Sequence, residues 1–283
     1  MKAIITTITL LTFFIVSSIT AQEFSGKAIY KTSRKSSVTF GKNQKGITDK
    51  MQEELQKRMQ KMNQKTFILE FDKTTSMYKE DVKLEDPTPR VGSGKMVVMS
   101  FGGSGSTDAY YKNIKQNRFA NKTEIMGKPF LVKDKLPKYE WELSSETKNI
   151  GKYTCYKATY SKEVENINMS MINGESKETK TKEIITTTAW YTTQVPISNG
   201  PADYQGLPGL ILEINDGKNV MVCTEIILNP ENAMAIEEPT KGKEVSKKKF
   251  DKIQKQKSEE MMEKMKSRNG IEIGNGIQIK MGG

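Results

Sequence analysis

The chain contains no histidine among its 283 residues, and that absence removes more chemistry than any motif supplies. Imidazole is the base of Ser-His-Asp and Cys-His sites, and a ligand in HExxH proteases and in most zinc or copper centres. None of these can be assembled, and nothing in the sequence calls for a metal or a cofactor. Cysteine is nearly absent too, with only Cys155 and Cys223. Past the first 21 residues no apolar run approaches the ~18 to 20 residues that a membrane-spanning helix needs. Glycosidase-type chemistry survives, because it requires only two carboxylates flanking a bond. The 34 acidic residues, however, show no spacing that marks such a pair.

The N-terminus has three parts: Lys2, an apolar stretch over residues 3–16, and the small-residue exit Ser17-Ser18-Ile19-Thr20-Ala21. This pattern predicts a secretory signal over residues 1–21, cleaved after Ala21. No cysteine lies near that point to accept a lipid. The expected mature chain of 262 residues is then a soluble periplasmic or envelope protein without a transmembrane segment. It is long enough for one large domain, taken as residues 22–230, followed by an extension over 231–283. The net charge of +11, about +10 once Lys2 is removed, favours acidic partners such as anionic glycans or lipid headgroups. Export excludes nucleic acid as a partner.

Apolar periodicity predicts a mainly β chain of the α+β kind. Strands are expected at residues 24–30, 66–71, 75–78, 109–111, 118–125, 130–132, 139–143, 153–160, 183–192, 210–214 and 219–228. The last two are joined by an Asp216-Gly217 hairpin signal. About ten short-linked strands imply an antiparallel meander, curved or half-barrel-like. Thr48-Asp49 can cap a helix over 48–64 that presents Met51, Leu55, Met59 and Met62 on one packing face. Residues 86–107, rich in Pro, Gly and Ser, read as a mobile insertion. Their Gly92-Ser93-Gly94-Lys95 lacks the spacing and the final Ser or Thr of a phosphate loop. Residues 237–268 are rich in Lys and Glu with sparse apolar positions, which predicts an exposed helix. The Ile and Gly tail beyond it can add to a sheet edge.

The most informative string is Gly206-Leu207-Pro208-Gly209-Leu210-Ile211-Leu212. Pro208 fixes φ and Gly209 can take φ > 0, which predicts a type II turn feeding a buried strand. Pro196, Gly200 and Pro201 precede it, so the segment should follow a rigid path across the end of a sheet. With Ala189-Trp190-Tyr191-Thr192 and Val195-Pro196-Ile197-Ser198-Asn199-Gly200-Pro201 upstream, the string resembles the signature of the GLPGLI family. Members are secreted proteins of Bacteroidetes-type bacteria with no assigned biochemical role. Gly127 to Asp134, Trp141 and Ile150 to Ala158 extend the likeness over roughly residues 24–228, while Thr193-Gln194 depart from it. The resemblance implies export and leaves activity open.

Cys155 and Cys223 fall in predicted strands of an exported chain. They permit either one disulfide closing a loop of about 70 residues, worth ~4 kcal/mol in the chain-entropy model, or two separate buried thiols. Trp190, Tyr191 and Tyr204 are the aromatic candidates for a ligand pocket beside the signature. The leading functional expectation is a non-enzymatic envelope protein that binds an apolar or acidic ligand or an outer-membrane partner. The alternatives are a carboxylate-dependent hydrolase of envelope polymers using Asp203, Glu213 or Asp216, and a structural or assembly factor of the envelope.

Overall fold

Strand β1 (Ser25–Arg34) alternates strictly, burying Gly26, Ala28 and Tyr30 and leaving the residues between them on the wetter face. That period of two is what a half-buried strand requires. The computed structural model describes residues 24–34, 54, 64–81, 108–172, 175–231, 235–269 and 279–281. The expected signal over 1–21 and insertion over 86–107 lie outside the described residues, as does the expected helix over 48–64 except for Glu54 and Gln64.

From β1 the chain runs as a meander through β2 (Gln64–Asp72), β3 (Thr75–Glu80), β4 (Ala109–Asn113), β5 (Arg118–Ile125) and β6 (Lys128–Lys135). Each pairs antiparallel with its predecessor. A second meander contains β7 (Glu142–Ile150), β8 (Tyr153–Ile172), β9 (Glu175–Thr192), β10 (Leu210–Asn215) and β11 (Asn219–Leu228). Pairing of β11 with β1 fuses the two into one sheet. β12 (Lys243–Val245) adds to β6 in parallel and β13 (Ile279–Met281) adds to β8. Among the described residues the result is an open sheet of thirteen strands, mainly antiparallel as the periodicity implied, with β12 and β6 paired in parallel.

The single core cluster that unites Tyr30, Phe67, Leu69 and Tyr78 with Cys155, Leu210, Leu212 and Cys223 contains strands far apart in the sheet order. They can meet only because the sheet curls. Burying Tyr30, Leu69 and Phe71 completely contributes about 1.5–3 kcal/mol each. Val195 and Ile197, from the segment between β9 and β10, fill the same concavity.

Several boundaries differ from the sequence expectation. The strand expected over 139–143 begins at Glu142, and Tyr139 and Trp141 lie in the connection before it. The strands expected over 153–160 and 183–192 are the bases of a far longer hairpin, β8–β9, which pairs as far as Ile172 with Glu175. The helix expected over 237–268 is α1 (Lys247–Asn269). Residues 235–242 are irregular, and β12 ties the extension to the sheet before the helix starts. Nor is α1 simply exposed at its start, since Phe250 packs edge-on against Phe130 at 5.6 Å.

The turn expected at Pro208-Gly209 is also of another kind. Gly209 does not have a left-handed φ; Gly206 does, at +96°. The Gly209 N–H donates to Leu207 O at 2.8 Å, closing a three-residue γ-turn about Pro208. Glycine is required at 209 for a different reason, because a Cβ there would lie 2.1 Å from the carbonyl oxygen of Thr192. Two more γ-turns, Ile197 N–H to Val195 O and Asn199 N–H to Ile197 O, each 2.8 Å, fold the preceding segment.

Candidate functional site

Residues 193–209 cross the concave face of the sheet, so their backbone polar groups must find partners away from water. The sheet supplies them. Tyr30 Oη donates to Ile211 O at 2.7 Å, Ser76 Oγ to Asn199 Oδ1 at 3.3 Å, and Trp141 Nε1 to Gln205 O at 2.9 Å. Gln205 Nε2 donates in turn to Pro137 O at 2.7 Å. The deepest donor is Lys112, fully buried on β4, whose Nζ reaches Gly200 O at 2.6 Å and Tyr204 O at 3.1 Å. Burial pushes the Lys112 ammonium down to about 7, with the Asp203 carboxylate pulling the other way.

Lys112 thus clamps the two carbonyls that flank the turn carrying Asp203. Asp203 Oδ2 accepts from Tyr139 Oη at 2.9 Å. Tyr139 stacks on Trp141 at 5.4 Å and on Tyr204 at 5.3 Å, and meets Tyr160 edge-on at 5.3 Å. Burial first, and then the Asp203 charge, raise the pKa of Tyr110, Tyr139 and Tyr204. These hydroxyls stay protonated at neutral pH, and that of Tyr139 donates to Asp203.

Asp203 faces a cleft of about 540 Å³. Its floor is Tyr110, Phe119, Asn121 and Val132, from strands β4 to β6, and its far wall is the first turn of α1. Tyr110 and Phe119 stack at 5.0 Å with an interplanar angle of 13°, giving a flat aromatic surface. Helix α1 begins with Lys247-Lys248-Lys249 and has no acidic residue in its first turn. Three cations at the positive end of a helix oppose the macrodipole, so the local charge rule is broken beside the cleft. Asp134 offsets part of this cost by accepting the Lys247 N–H at 3.1 Å, and Asp251 pairs with Lys247 Nζ at 2.6 Å.

The residues that the sequence singles out do not come together. Trp190 packs against the cluster that holds Tyr30 and Leu212, under Lys148 Nζ at 4.4 Å, whereas Tyr191 belongs to a second cluster with Ala158, Leu207 and Ile211. Consecutive strand residues point to opposite faces, so these two cannot line one pocket. Tyr204 sits one ring from the cleft, stacked on Tyr139. Of the three candidate carboxylates Asp203, Glu213 and Asp216, Asp203 lines the cleft. Glu213 is bound to Lys148 at 2.8 Å. Asp216 shapes the β10–β11 turn by accepting the N–H groups of Lys218 and Asn219.

Cys155 and Cys223 are both buried and free, in the same core cluster. Burial lifts them to about 11 and about 12, so both are inert thiols at neutral pH. Sequence reasoning missed Lys112, Tyr110, Phe119 and the first turn of α1. The signals were present: Lys112 shares a face with Tyr110 in an alternating strand, and a lysine triplet opens a helix.

Residues 141–213, which contain the clamped segment, match the profile of a family described as a protein of unknown function, Porph_ging. No curated protein matches the chain. Among solved structures it is similar to PNGF-II in two crystal forms, with TM-scores of 0.45 and 0.46 and 13% identity in each. The alignments cover 83% and 82% of this chain and 33% of each PNGF-II chain, so the protein spans about one third of their length.

Proposed function

We propose that the chain is a GLPGLI-type protein exported to the bacterial periplasm or envelope. There it holds an apolar or acidic ligand in the cleft over β4 to β6, or offers that cleft to an outer-membrane partner, without transforming what it binds. The carrying observation is the cleft: about 540 Å³ with a stacked aromatic floor and lysines at one wall. Its volume falls within the ~300–1,000 Å³ of small-molecule sites. The flat Tyr110 and Phe119 rings suit an apolar body, and Lys135 and Lys248 suit an acidic group. The signal-like N-terminus supports export.

A hydrolytic reading needs two carboxyls about 5 to 9.5 Å apart across a bond. Glu213 is held in an ion pair and Asp216 in a turn, so neither joins Asp203 at the cleft. Native mass spectrometry of the full protein released from its own envelope tests the proposal. The expected result is a chain starting at Gln22 that retains a removable adduct, with the adduct lost in Phe119→Ala. A chain that keeps residues 1–21 would overturn export, and a bare mass in the wild type would overturn binding.

A further inference from the structure

Six aspartate and lysine side chains line the cleft, and three of them are engaged while the other three have no ion-pair partner among the described residues. Asp134 accepts N–H groups of Lys135 and Lys247, and Lys247 and Asp251 pair with one another. Lys135 and Lys248 have no ion-pair partner among the described residues, and both flank the positive end of α1. Asp203, in the same cleft, likewise has no lysine or arginine within ion-pair distance among the described residues. The hydrogen bond that its carboxylate accepts comes from the Tyr139 hydroxyl. The Lys112 charge acts on it, but that amine is committed to Gly200 O and Tyr204 O. A carboxylate so placed beside the face of a stacked aromatic pair is the recognition chemistry of an organic amine.

We infer that the cleft recognises a zwitterionic amphiphile, whose amine is bound by Asp203, whose apolar body lies on Tyr110 and Phe119, and whose anionic group meets Lys135 and Lys248. This rests on the reading of the cleft as a ligand site and adds the amine end and the orientation to it. Charges of opposite sign in one cleft select against ligands with only one: each such ligand leaves one sign of protein charge desolvated and uncompensated.

Calorimetric titration of the full chain with decanoate, decylamine and 10-aminodecanoate separates the two ideas, because the three share a chain length and differ only in their ends. The expected order places 10-aminodecanoate tightest, by about tenfold over decanoate. Asp203→Asn keeps an acceptor for Tyr139 and should remove that advantage while leaving decanoate affinity unchanged. Lys248→Gln should weaken decanoate and 10-aminodecanoate alike. Melting temperatures of both variants confirm folding. If decanoate binds as tightly as 10-aminodecanoate, or Asp203→Asn changes nothing, amine recognition is wrong although the cleft still binds. If no probe binds the wild type, both the inference and the ligand-site reading fall.

Discussion

Lys112 Nζ donates to the carbonyl of Gly200 at 2.6 Å across 88 positions of sequence, so a strand of the first meander holds the segment that bridges two strands of the second. The contact fixes the turn that presents Asp203 to the cleft. Replacing Lys112 by Met removes the donor and leaves two inward carbonyls without it. A loss of about 1–3 kcal/mol is expected, read from urea denaturation. Unchanged stability would show that the carbonyls find other partners.

The same lysine sets a pH dependence. Burial depresses its folded pKa to about 7 from the ordinary lysine value of 10.5, so above pH 7 the unfolded chain binds more protons at this site than the folded chain. Stability therefore rises with pH between 7 and 10.5, by at most ~1.4 kcal/mol per unit. Cys155 and Cys223, raised to about 11 and about 12, act in the opposite direction above their unfolded value of 9.0. Between pH 7 and 8.5 the wild type should gain stability that Lys112→Met does not gain.

Gly209 and Gly206 separate two reasons for glycine in one turn. Gly209→Ala should cost at least as much as a typical overpacking change, about 1–3 kcal/mol, because its Cβ meets the Thr192 carbonyl at 2.1 Å. At Gly206 only the left-handed φ of +96° resists substitution, and the nearest atoms, of Trp141, stand 3.7 Å away. Gly206→Ala should cost about 1 kcal/mol. Thermal melts that reverse this order would contradict the close approach to Thr192.

The fold was largely legible because strand alternation is a local signal. Ser25–Arg34, Thr75–Glu80, Asn219–Leu228 and the Asp216-Gly217 turn are set by neighbours in sequence, and all were expected within a few residues. The length of the β8–β9 hairpin was not anticipated, although Asn173-Gly174 is a strong two-residue hairpin signal. Ile167, Met169 and Met171 alternate with polar residues on the first flank, but residues 175–183 of the second are so rich in Thr, Lys and Glu that period-two hydrophobicity is absent there. The cleft was less legible still, because its floor, its carboxylate and its lysines come from segments joined only by the curl of the sheet. Trp190 and Tyr191 were attractive as aromatic neighbours in sequence, yet adjacency in a strand is what separates them in space.

The thiols give a direct count. Denatured, non-reduced protein should take two alkylating labels per chain, and native protein at pH 7 should take them only slowly, given buried thiols raised to about 11 and about 12. No label after denaturation would mean that Cys155 and Cys223 are bridged.

The central claim is that the cleft over β4 to β6, and not the aromatic residues of β9, receives the ligand. Amide chemical shifts of the full chain titrated with 10-aminodecanoate test it directly. The account predicts saturable shifts at Tyr110, Phe119, Lys135, Asp203 and Lys248, with Trp190 and Tyr191 unmoved. Shifts centred on Trp190 and Tyr191, or none at any concentration that dissolves, would contradict it.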